Sequence, residues 1–179
     1  MPFQKIQTKG AREIMNTEKL FEVQEKVDAA IAANMHKEWE GFGSFESVEH
    51  RKFALRTEIF ELANEIGFFK DWKHSHKIDK EAALEELGDC IAFLLSLGIT
   101  AGYQRIASEI RPFEMHNEYA WEDLFDMLTD LRVDNAGKFT LIFSLLLGIG
   151  LKIGATESEI VDAYMRKSNI NIERREKGY

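Results

Sequence analysis

The stretch from Lys80 to about Gly98 constrains this chain more than any other. Asp79 is a good N-cap in front of it. Leu84, Leu87, Cys90, Ile91, Phe93, Leu94, Leu95 and Leu97 make its centre apolar on nearly every side. A helix of that kind belongs in an interior. Yet it carries Glu86 and Asp89 in the motif EELGD, three residues apart and so on one face. Taking carboxylates out of water costs several kcal/mol unless they are paired or bound to metal. Lys80, at the very start, is the one lysine on this helix. Gly88 between the acids costs about 1 kcal/mol of helix propensity, which predicts close approach of a neighbour.

A second acidic motif lies one helix earlier. From Val48 to Gly67, Leu55, Ile59, Leu62, Ala63 and Ile66 form an apolar arc at helical spacing. Glu58, Glu61 and Glu65 group on the flank of that arc, not opposite it. A solvated acidic face normally carries lysines at i+4, and none occurs between Lys52 and Lys70. The connector is short enough to fold the second helix back along the first. Four or five carboxylates then converge between two antiparallel rods. Such a cluster repels itself unless cations fill it, and carboxylate oxygens suit Mg²⁺ or Mn²⁺. Three glutamates on a helix are commonplace, so the metal reading gains its force from the two motifs together.

Phe68-Phe69-Lys70-Asp71-Trp72-Lys73-His74-Ser75-His76-Lys77 joins the motifs. It reads either as a surface loop anchored by Trp72 or as a flat apolar wall for a base or sugar, with ammonium groups for phosphate. His74 and His76 lack a Cys or His partner nearby and are not counted as ligands.

The remaining chain predicts an all-α fold, because no run alternates as a strand does and several have helical spacing. Residues 1–16 read as a basic tail. Thr17 caps a helix to about Met35, with Gln24 and Asp28 one turn apart beside its apolar stripe. Spacing alone reads that pair as polar residues at a helix edge. Trp39–Glu46 forms a loop packed on the body. Helix continues from Ile99 to about Ile110, where Pro112 breaks it. Glu118–Leu131 is amphipathic. The apolar helix 138–153 is buried, and its excess of apolar side chains also suits a dimer interface. Thr156 and Glu159 form a capping box for a last helix through Tyr164, after which Arg166–Tyr179 reads as a basic tail.

A chain of 179 residues, 45% apolar and 30% charged, fits one domain spanning 1–179. Its formal charge of −8 argues against an extended nucleic-acid footprint. A small phosphorylated substrate stays open, because metal bridges acid to phosphate. Cys90 is the lone cysteine and forms no intramolecular disulfide, which fits a reducing cytoplasm. The N-terminus lacks a signal-peptide apolar region. Phe139–Ile153, interrupted by Ser144, Gly148, Gly150 and Lys152, is shorter than the roughly 20 residues a bilayer span needs. No membrane partner is expected.

Taken together, Glu58-x-x-Glu61, Glu86-x-x-Asp89, the segment ELANEIGFFKDWK and the run EELGDCIAFLLSLGI resemble the dimeric, all-α dUTPases, within the all-α NTP pyrophosphatase superfamily. LFEVQEKVDAAI resembles that family's first motif and AYMRKSNINIERREKGY its last. ExxE with ExxD marks only the superfamily; FKxWK and the C-terminal Asn/Arg/Gly-Tyr pattern narrow it. The resemblance implies a helical bundle with a four-helix core, a homodimer, and hydrolysis of dUTP to dUMP and pyrophosphate, with dUDP left open. It implies two or three Mg²⁺ ions, or Mn²⁺, held by Glu58, Glu61, Glu86 and Asp89. Glu61, and after it Glu58, would orient or deprotonate the attacking water. Gln24 and Trp72 would contact the nucleoside and Asn171 the base or sugar. Lys70, Lys73, Lys167, Arg174 and Tyr179 would meet phosphate, with 166–179 closing over it. The family often has Asn where this chain has Asp28.

Two rival readings share the pattern. One is the same fold acting on dCTP or another nucleoside triphosphate. The other is a helical bundle that binds a regulatory protein, against which the complete acidic quartet argues. A di-metal redox bundle would need Glu-x-x-His, and neither motif supplies it.

Overall fold

Antiparallel packing of two helices sets the architecture. The computed structural model describes residues 15–33, 48–75, 77–114 and 120–177. Among these, six helices are present: α1 (Glu18–Ala33), α2 (Val48–Ile66), α3 (Lys80–Ala101), α4 (Trp121–Asp130), α5 (Ala136–Lys152) and α6 (Glu157–Glu176). Arg51 of α2 meets Ser96 and Thr100 of α3, while Glu58 lies beside Glu86 and Asp89. Rising numbers on one helix thus match falling numbers on the other. α3 also packs on α6 and α1, and α1 on α6, so α1, α2, α3 and α6 form the four-helix core. The fold is all-α, as the periodicity predicts.

α3 is the buried axis. Leu87, Cys90, Leu94 and Leu95 are fully enclosed. The Asp79 carboxylate accepts from the amides of Glu81 and Ala82 at the N-terminus. Gly88 admits α6: a Cβ there would lie 3.4 Å from the backbone nitrogen of Tyr164 and 3.5 Å from Ala163. That is the neighbour its position predicts.

α5 lies behind this core. Phe139, Ile142, Phe143, Leu145, Leu146, Leu147 and Ile149 are all buried within the chain. The apolar excess that suited a dimer interface is therefore used internally. No single helix among the described residues is long and apolar enough to cross a membrane.

Three boundaries differ from the sequence reading. α3 does not continue to residue 110. Gly102 ends it in the left-handed conformation at φ 72°, with its N–H and that of Tyr103 returning to the carbonyls of Ile99 and Gly98. This is a Schellman stop. The chain then turns so that strand β2 (Glu109–Ile110) pairs antiparallel with β1 (Met15–Asn16). Met15 is buried in the core, so the end of the expected 1–16 tail belongs to the fold. Thr17 does not cap α1 with its side chain. Its hydroxyl donates to the carbonyl of Ala107, and Asn16 Oδ1 accepts from the Glu18 amide at 2.9 Å instead. Finally, the expected tail beyond Arg166 is helical as far as Glu176. Met35, the loop at Trp39–Glu46 and residues 1–14 lie outside the described residues.

Candidate active site

The antiparallel register of α2 and α3 brings Glu58, Glu86 and Asp89 together. One carboxylate oxygen from each lies within 4.8 Å of the others. Glu58 and Glu86 are half-buried, and the Asp89 side chain is 13% exposed. Glu61 is exposed and Glu65 half-buried, and neither belongs to that closest group.

Crowding and burial oppose ionisation here. Burial, then the charges of Asp89, Glu61 and Glu86, pushes the Glu58 carboxyl up to about 7. Glu86 is raised by burial and by Asp89. Asp89 is also raised by burial, although Lys167 pulls the other way. The Lys167 ammonium sits 2.6 Å from Asp89 Oδ2. The oxygen-only donor set and mutual repulsion fit a hard divalent cation such as Mg²⁺ or Mn²⁺.

A cleft of about 580 Å³ opens on Glu58 and Asp89. Its walls combine Glu58, Asp89 and Lys167 with the apolar side chains of Ile31, Ala54 and Phe93. Asn171 and Arg174 line it too, on the same face of α6 as Lys167. The volume suits a nucleotide-sized ligand.

A partly buried polar chain runs from the core to the cleft at Arg51. The Tyr164 hydroxyl donates toward Gln24 Oε1 at 3.1 Å and the Leu20 carbonyl at 3.0 Å. Gln24 Nε2 donates to Asp28 Oδ1 at 2.8 Å. Ser96 Oγ donates to Asp28 Oδ2 at 2.7 Å. Arg51 donates to Ser96 Oγ at 3.1 Å and also to Thr100 Oγ1. Four core helices are thereby cross-linked. Burial raises the Asp28 carboxyl above its ordinary range, while Ser96, Gln24 and Arg51 act against that.

The expected site residues are not all gathered. Glu58, Asp89, Lys167, Asn171 and Arg174 meet at the cleft. Gln24 is 3% exposed and lies in the polar chain, not in the cleft wall. Lys70, Trp72 and Lys73 do not line the cleft, and Trp72 is 71% exposed. The loop is anchored by Phe68, which stacks on Phe125 at 5.3 Å, whereas among the described residues Trp72 makes its ring contact edge-on with Phe69. Tyr179 and His76 lie outside the described residues.

Sequence reasoning missed His50, Arg51 and Phe93 as cleft residues. Arg51 carried a usable signal. It precedes Glu58 by seven residues, which puts it on the same face about 10 Å away along the axis.

A family model described as dUTPase matches residues 16–179. No curated protein matches the chain.

Proposed function

Because this chain belongs to the all-α dUTPase family and hydrolyses dUTP to dUMP and pyrophosphate, we propose that the α2–α3 carboxylates hold the Mg²⁺ this chemistry uses. The observation that carries the reading is the approach of Glu58, Glu86 and Asp89 oxygens to within 4.8 Å of one another. Two or three Mg²⁺ ions, or Mn²⁺, bind there with Glu61 at the margin. When bound, such ions neutralise phosphate charge and lower the pKa of water. They also reconcile an acidic protein with a polyanionic substrate.

The chain's own residues do the rest. Glu61 orients the attacking water or takes its proton, with Glu58 the second candidate. The place of Glu61 beside Glu58 supports this, because a general base must lie within hydrogen-bond reach of the water it deprotonates. Lys167 and Arg174 meet the phosphate chain, and Asn171 the base or sugar. Phe93, Ile31 and Ala54 offer the base an apolar surface. Lys70, Trp72 and Lys73 form an outer wall, Gln24 acts from beneath the nucleoside, and Tyr179 reaches phosphate as in the family pattern.

The test is pyrophosphate release from dUTP with Mg²⁺, beside dCTP, dTTP and UTP. Strong preference for dUTP over dCTP is expected, and equal rates would overturn the specificity. Glu61→Gln is expected to lose most activity with its fold retained. A near wild-type rate at saturating Mg²⁺ would reassign the base.

The protein acts as a cytoplasmic homodimer without nucleic-acid or membrane partners. The outer face of α2 supports a self-complementary contact. Phe53 and Phe60, two turns apart, are 71% and 61% exposed. An antiparallel copy would set Phe53 of one protomer near the partner's Phe60, as a twofold contact requires. Phe53→Glu with Phe60→Glu should give a monomer in sedimentation, whereas a dimer unaffected by both changes would move the interface elsewhere.

A further inference from the structure

The Lys167–Asp89 pair joins two groups that the proposed chemistry needs apart. Asp89 is one of three carboxylates crowded within 4.8 Å. Lys167 is 28% exposed and reaches it from α6 at 2.6 Å. An ammonium at that distance offsets part of the repulsion a divalent cation would relieve. The two cations therefore compete for one negative field. A carboxylate that can exchange one cation for another needs the first on a flexible stem, and lysine's four-carbon chain supplies it. A second place for the ammonium is close by. Lys167 lines the same cleft as Asn171 and Arg174, where a phosphate chain would run.

A strut between α3 and α6 is the simpler reading of the pair. Those helices already touch backbone to backbone where Gly88 meets Ala163 and Tyr164. Their packing does not depend on an ion pair with one end partly in solvent. A fixed strut would also be poorly placed beside residues lining a nucleotide-sized opening.

Building on the metal reading above, we infer that Lys167 is a positioning residue. It holds Asp89 until a divalent cation arrives, then transfers to the substrate phosphates. Metal uptake and phosphate binding are thereby coupled through one side chain, and such coupling is reciprocal.

Mn²⁺ titration of the full chain without nucleotide, followed by the free-ion EPR signal, tests this. Lys167→Met should bind Mn²⁺ about tenfold more tightly than wild type, a coupling of ordinary size. Lys167→Arg, which keeps the charge, should stay close to wild type. At saturating Mg²⁺, Lys167→Met should also raise the KM for dUTP, because the phosphates lose their cation. Tighter metal binding together with a weaker substrate supports the hand-over. Unchanged Mn²⁺ affinity would leave Lys167 as a phosphate ligand alone, and weaker affinity would make it a strut; either overturns the inference. Circular dichroism checks the fold, and Lys167→Gln replaces Lys167→Met if the latter does not fold. Failure of every form, wild type included, to bind Mn²⁺ would instead remove the metal site itself.

Discussion

The cleft and the α2–α3 connector both carry residues assigned to substrate, but they are held differently. The cleft side chains sit on four helices whose relative register is fixed by buried contacts. The backbone at Glu58, Asp89 and Lys167 cannot shift without moving Leu62, Leu87 or Tyr164, all fully enclosed. The connector is attached through Phe68 on Phe125 and the turn at Gly67, while Trp72 stands in solvent. The difference separates positions that folding alone makes productive from positions that need a ligand to become so. Chemistry that tolerates little error belongs in the first class. Contacts that add affinity fit the second.

The largest test of that division is Glu58→Gln. Losing one member of the carboxylate trio should lower kcat/KM by about 10³-fold or more, measured as pyrophosphate release. If a connector substitution cost as much, the comparison would fail.

Next in size is the pH response. Glu58 binds its proton more tightly folded than unfolded, at about 7 against an ordinary 4.5. Its contribution to stability is fully present below the ordinary value and is lost as pH rises through about 7. In chelator the melting temperature should therefore fall between pH 5 and 8. Added Mg²⁺ should restore it most at the upper end, because metal takes the place of the proton. At limiting Mg²⁺, kcat/KM should rise roughly tenfold per pH unit below about 7, as expected for one displaced proton. Higher Mg²⁺ should move that midpoint to lower pH. A profile indifferent to Mg²⁺ would separate Glu58 from the metal.

Ser96→Ala comes third. It removes the hydroxyl that donates to Asp28 Oδ2 and accepts from Arg51, at a cost of about 1–3 kcal/mol. Denaturant unfolding would show this as a lower midpoint with an unchanged slope. The smallest effect belongs to Trp72→Ala. It should raise KM about tenfold if the indole stacks on the base, with kcat little changed and stability within about 0.5 kcal/mol of wild type. A Trp72 variant that unfolds more easily would show that the connector is built into the body after all.

Helix positions were legible because spacing determines faces. The apolar arc of α2 and the Asp79 cap are where the pattern puts them. The Thr156–Glu159 box also forms, with Glu159 Oε2 accepting from the Thr156 amide at 2.7 Å. The convergence of Glu58 with Glu86 and Asp89 followed from two motifs and a short connector. What escaped depended on partners distant in sequence. A left-handed stop at Gly102 was open to view, but its effect was not. Pairing of Met15 with Ile110 joins segments far apart along the chain. Nothing beside Arg51 in the sequence points to its partners Ser96 and Thr100. Gln24 and Asp28 read as an edge pair because nothing local announced Tyr164 and Ser96 above and below them. The basic C-terminal stretch read as a tail because charge masks helical spacing.

That last stretch has a mechanical consequence. Lys167, Asn171 and Arg174 ride on one rod rooted at the left-handed Gly154 turn and clamped by the 2.7 Å bridge from Lys80 to Glu159. Arg174 is about 22 Å up that rod from Glu159 at 1.5 Å per residue. A tilt of about 10° at the root would swing it by roughly 4 Å, more than a hydrogen bond spans. The rod is thus a lever, and its fulcrum lies far from the cleft that Lys167, Asn171 and Arg174 line. Changes at Thr156, Glu159 or Lys80 should register as lost grip at the opposite end, with every carboxylate of the trio still in place.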